Sequence, residues 1–89
     1  MTEQFARQFN HWRPYLTGIA YRMLGSVSEA EDVVQDAYLR WHDTDHLSVN
    51  DVRAYLTTVT SRLCLDRLRV AHRQREVYVG PWLPEPLVE

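Results

Sequence analysis

Large apolar residues recur at steps of three and four along the start of the chain: Phe5, Phe9, Trp12, Leu16, Ile19 and Met23. That rhythm is helical, and it predicts a first helix over residues 3–24. Pro14, in the stretch HWRPY, breaks the pattern, so the expectation is either two short helices or one kinked helix. Gly25 and Ser26 then form a stop signal.

The next periodic segment is SEAEDVVQDAYLRWH, from Ser28 to His42. Ser28 and Glu31 fit the S-x-x-E capping box, which places the helix start at Ser28. On a wheel of about 100° per residue, Ala30, Val33, Val34, Ala37, Tyr38 and Trp41 cover one side, which is expected to face the core. Asp32, Gln35, Asp36 and Leu39 occupy the opposite side. DTDHLS reads as a polar loop, and Ser48 or Asn50 is the expected cap of a third helix reaching Arg73 or beyond. Thr57, Thr58, Val59 and Thr60 are weak helix formers, but the spacing of Val52, Leu56, Val59, Leu63 and Val70 overrides them. Leu65 and Leu68 fall on another side of the same helix, so this helix is expected to lie centrally in a bundle.

The tail YVGPWLPEPLVE is of another kind. Gly80, Pro81, Pro84 and Pro86 rule out a helix there, while Trp82, Leu83 and Leu87 are more apolar than a solvated linker needs. It reads as a docking segment or a linker that packs on something. The predicted architecture is all-α: a small bundle of three helices, four if Pro14 divides the first. The helical domain is placed at residues 1–76 and a Pro-rich linker start at 77–89.

Composition sharpens this picture in three places. At 89 residues and 45% hydrophobic, the chain suits one small folded domain. Its single cysteine, Cys64, leaves no disulfide framework, and charges interrupt every apolar run, which makes a soluble cytoplasmic protein the default expectation. The net charge of −2 hides an asymmetry. Residues 28–51 carry seven acids against Arg40, and residues 52–76 carry six arginines against Asp66 and Glu76. Such polarity fits two different partners, or two segments that pair with each other.

The acidic side of the second helix offers acceptors, an amide and a central leucine. A partner helix bearing Arg or Lys would suit it, with Leu39 excluding water; a solvated face with one stray leucine is the alternative. On the third helix Thr58, Arg62, Arg69 and Arg73 share one edge, interrupted by Asp66. Arginines so spaced can follow a phosphate backbone or reach a base edge, or can form a solvated face. Trp41 belongs to the apolar side and is expected in the core. His42, Asp45 and His46 have zinc-binding chemistry, but their spacing matches no structural site and a fourth ligand is missing, so no metal or cofactor is expected. Cys64, flanked by Leu63 and Leu65, reads as a small buried hydrophobe, and the three scattered glycines form no phosphate loop. The chain does not read as an enzyme.

AYRMLGSVSEAEDVVQDAYLRW followed by VRAYLTTVTSRLCLDRLR resembles region 2 of the extracytoplasmic-function sigma factors of bacterial RNA polymerase, over roughly residues 5–76. The tail YVGPWLPEPL is similar to the linker of the SigJ-type subgroup, which carries a C-terminal SnoaL-like domain. The resemblance implies that Asp32, Gln35, Asp36 and Leu39 dock on the clamp helices of the polymerase beta-prime subunit. It implies that the third helix and the loop 43–50, with His46 and Ser48, hold the non-template strand of the promoter −10 element, and that Arg62 faces a pocket for a flipped base. Many members have Asn where this chain has Arg62, which alters the expected base preference. The resemblance also implies a longer protein, with a region 4 domain and either an anti-sigma protein or its own SnoaL-like domain as a further partner, and no membrane contact. A helical protein–protein adaptor without DNA binding is the competing reading.

Overall fold

The computed structural model describes the backbone of residues 1–79 and the side chains of residues 1–76. The expectation of a docking tail at Trp82, Leu83 and Leu87 lies outside the described residues. Three helices form: α1 (Glu3–Leu24), α2 (Val27–His42) and α3 (Val52–Val79), with a 3-10 turn at His46–Ser48. Each helix packs on the other two, so the chain is an all-α three-helix bundle.

Pro14 does not divide α1, which runs unbroken over 22 residues. Pro14 lacks an N–H and leaves the Asn10 carbonyl without its usual donor. Both residues are exposed, so that carbonyl faces solvent, while Phe9 and Leu16 are buried on either side of the proline and hold the two halves to one core. α1 ends at Gly25, whose φ of 73° is left-handed and whose N–H donates to the Tyr21 carbonyl at 2.8 Å. A side chain there would have room, so the demand for glycine is conformational.

α2 begins one residue before the expected start. Ser26, not Ser28, is its cap: the Ser26 hydroxyl accepts the Glu29 N–H at 3.3 Å. α2 returns antiparallel to α1, since Trp41 near its end donates its indole N–H to the Phe5 carbonyl at 2.8 Å. α3 is capped by Asp51 rather than Asn50 or Ser48: a carboxylate oxygen of Asp51 accepts the Ala54 N–H at 3.0 Å.

The core is Phe9, Leu16 and Ala20 from α1; Ala30, Val33, Val34, Ala37 and Trp41 from α2; and Leu56 and Cys64 from α3. Trp41 is buried as the wheel predicts and Cys64 as its leucine neighbours predict, and burial pushes the Cys64 thiol above its ordinary pKa, away from a reactive thiolate. α3 is not the central helix. From Leu65 to Glu76 every side chain but that of Arg67 is exposed, and Leu65 and Leu68 each remain 41% exposed. Length explains this. The 28 residues of α3 span about 42 Å at 1.5 Å per residue, against about 24 Å for the 16 residues of α2, so α3 overhangs its neighbours.

Candidate functional site

Two surfaces follow from the way α2 and α3 bury their apolar sides. Committing Ala30, Val33, Val34, Ala37 and Trp41 to the core forces Asp32, Gln35, Asp36 and Leu39 outward, and all four are exposed. Leu39 stands 53% exposed, and with Asp36, Arg40 and Asp43 it lines a shallow shelf. The acids are not neutralised by the arginine-rich helix. Between the two segments one ion pair forms among the described residues, Arg67 to Asp32 at 4.0 Å, the outer limit of such a contact. An exposed pair of that kind contributes little.

Thr58, Arg62, Arg69 and Arg73 are likewise all exposed. Arg69 donates to Asp66 at 3.1 Å, so the interruption expected at Asp66 is a local ion pair. Arg62 and Arg73 carry no ion pair among the described residues. Arg62 opens onto a cleft between the end of α2 and the middle of α3, lined also by Arg40, Tyr55, Val59, Leu63 and Asp66. The cleft thus joins two cationic groups, one carboxylate, one phenol ring and an apolar floor. That set can hold a planar polar group: the arginines meet acceptors, Asp66 meets a donor and Tyr55 offers a π-face.

The loop before α3 does not line this cleft. His46 is half-buried, stacked on Phe5 with ring centroids 4.2 Å apart, and its Nε2–H donates to the Trp41 carbonyl at 2.6 Å. The ring ties the loop to the core. Ser48 is exposed, and its hydroxyl donates to the Asp45 carbonyl at 2.8 Å. Thr44 shares a hydrogen bond with the Tyr55 hydroxyl at 2.9 Å and donates to the Arg40 carbonyl at 2.7 Å, so it fixes two walls of the cleft. Leu47, 88% exposed at the loop tip, was not singled out by the periodicity, and neither were Arg40 and Tyr55 as cleft residues. Tyr55 lies seven residues before Arg62, a spacing of two helical turns that could have flagged it. His42 bonds to Asp43 at 3.3 Å while His46 is turned onto Trp41, and no three His, Cys, Asp or Glu side chains converge on a metal-sized site among the described residues. No helix among those residues is long and apolar enough to cross a membrane.

The family model described as Sigma-70 region 2 matches residues 8–74. The ECF RNA polymerase sigma factor SigJ of Mycobacterium tuberculosis (strain ATCC 25618 / H37Rv) is 53% identical over 81 residues, covering 91% of this chain and 26% of that protein. The probable ECF RNA polymerase sigma factor SigI of the same strain is 44% identical over 64 residues, covering 72% of this chain and 22% of its own length. The ECF RNA polymerase sigma factor SigW of Bacillus subtilis (strain 168) is 32% identical over 69 residues, covering 75% of this chain and 37% of that protein. The chain therefore spans between 22% and 37% of the length of these relatives. No solved structure matches.

Proposed function

Because this chain belongs to the sigma-70 region 2 family, we propose that it is a transcription-initiation module, one that docks on RNA polymerase and holds a promoter strand. It is a binding domain and not an enzyme. The docking surface is the exposed side of α2 that carries Asp32, Gln35, Asp36 and Leu39, and its partner is the clamp-helix region of the beta-prime subunit. The observation that carries this reading is an exposed leucine set among acids, with Asp36 free of any ion pair among the described residues. A basic helix would supply the missing cations, and Leu39 would be the apolar centre of the contact.

The −10 element is assigned to the α3 edge of Thr58, Arg62, Arg69 and Arg73, with the cleft at Arg62 receiving an unpaired base. His46 and Ser48 belong to the same reading, His46 by anchoring the loop and Ser48 as its exposed polar group. A further contact of the Trp82 segment with a SnoaL-like domain or an anti-sigma protein rests on the likeness of the tail alone.

The decisive measurement is binding of a beta-prime fragment bearing the clamp helices to the wild-type chain and to Leu39→Ala combined with Asp36→Arg. The expected result is a loss of at least tenfold in affinity with helicity unchanged. Equal affinity would overturn the docking assignment.

A further inference from the structure

α1 presents an open groove that neither the shelf nor the Arg62 cleft uses. It is lined by Arg13, Pro14, Thr17, Gly18, Tyr21 and Val27. The chemistry of these residues makes its walls apolar. Pro14 has no N–H, and Gly18 has no side chain. Thr17 donates its hydroxyl hydrogen to the Arg13 carbonyl at 2.9 Å. Tyr21 and Val27 stay 49% and 59% exposed, so much of their apolar surface is left to solvent. The rim is cationic. Arg13 forms part of it, and Arg22 lies along it, since a Cβ on Gly18 would meet Nη1 of Arg22 at 3.7 Å. Neither arginine has a carboxylate partner among the described residues.

The complement of this surface stands on the same molecule. The shelf sets the exposed Leu39 beside Asp36 and Asp43, and neither acid pairs with an arginine among the described residues. Arg40, the cation of the shelf, also lines the Arg62 cleft. An apolar floor under a positive rim thus has its counterpart in an apolar knob between negative groups. One molecule cannot join them. Val27 and Leu39 sit on the same rigid helix, about 18 Å apart along its axis, so Leu39 does not reach the groove of its own chain.

We propose that the α1 groove receives the α2 shelf of a second copy of this chain, with Leu39 against Pro14, Gly18 and Tyr21 and the shelf acids against Arg13 and Arg22. An apolar centre excludes water, and opposite charges around it fix the register. The two faces differ, so each copy in a pair keeps one groove or one shelf free, and the contact runs head to tail. On the docking reading, this association covers the side of α2 that meets polymerase. The proposal itself requires no polymerase, and its test contains none.

The test is sedimentation equilibrium of this chain across a range of concentrations at low and high salt. The expected result is an average mass that climbs past that of a dimer as concentration rises, and that falls at high salt as the rim charges are screened. Gly18→Leu fills the groove and replaces glycine with a better helix former, so it is expected to weaken association about tenfold or more with helicity retained. Arg22→Glu reverses an exposed rim charge and is expected to act in the same direction, as is Leu39→Ala combined with Asp36→Arg from the other face. A mixture of Gly18→Leu chains with Leu39→Ala, Asp36→Arg chains holds one sound shelf and one sound groove. It is expected to form dimers that grow no further, although neither variant associates alone. A wild-type chain that stays monomeric throughout would overturn the proposal and leave the groove to solvent or to a different partner. Association that persists in both Gly18→Leu and Arg22→Glu would overturn it too, and so would a mixture that stays monomeric.

Discussion

Thr60 is fully buried, and its hydroxyl has no hydrogen-bond partner. Replacing it with valine keeps the shape and removes an unmet polar group, so Thr60→Val is expected to stabilise the fold by about 1 kcal/mol, read from the urea midpoint. Trp41 is the opposite case: its ring fills the core and its N–H is satisfied by Phe5. The burial of Trp41 could be read from the apolar side of α2, because neighbours on the same helix fix which way a side chain points. His46 could not. Its place depends on Phe5, far away in sequence, and on a carbonyl exposed only by the end of α2. Tyr15 offers a titration test at this same scale. Arg53 stabilises the phenolate, so Arg53→Gln is expected to raise the Tyr15 pKa toward its ordinary value, followed by phenolate absorbance. With the folded value lowered, the linked stabilisation is present above the ordinary phenol pKa and is lost as pH falls through the lowered one.

Helix boundaries were legible to within a residue or two, and the reason for the misses is local geometry. The sequence holds two S-x-x-E boxes, Ser26 with Glu29 and Ser28 with Glu31. Gly25 decides between them. Its left-handed turn ends α1 and throws the chain at once into the extended conformation that a cap requires, which Ser26 adopts at φ −139° and ψ 129°. Ser26→Ala is therefore expected to cost about 1 kcal/mol, while Ser28→Ala should lie within about 0.5 kcal/mol of wild type. Paired thermal melts of the two variants check this. At α3, Ser48 and Asn50 had equal claim by residue type. Ser48 is engaged with Asp45, and the turn leaves Asp51 in position to accept the Ala54 N–H. The two apolar sides of α3 do not make it central, since Leu65 and Leu68 lie beyond its neighbours and stay exposed. Periodicity reports which sides of a helix are apolar, but whether anything covers them depends on how far the neighbours extend.

For the molecule as a whole, the all-α class was legible because each segment repeats at the helical period, and the acidic shelf was legible because α2 is apolar on only one side. The cleft at Arg62 was not, since Arg40 comes from another helix and meets Arg62 only in the packed bundle. Shelf and cleft share Arg40 yet face different partners in the proposed function. Leu39→Ala with Asp36→Arg is expected to weaken the polymerase fragment and leave single-strand binding unchanged, and Arg62→Ala is expected to do the reverse. Anisotropy titrations of all the variants against both ligands would show it, and loss of both activities in either variant would count against separate surfaces. The overhang of α3 has its own effect on how the molecule melts. Past Cys64 the helix is held by its own backbone ladder and by few side-chain contacts, so its outer turns fray at a free energy well below that of global unfolding. On heating, far-UV ellipticity should slope downward early, as the tip unwinds toward the core. The near-UV signal of packed Trp41 should hold and then drop in one step. The two probes would not share one transition, and a single melting temperature would describe the bundle but not the helix that leaves it.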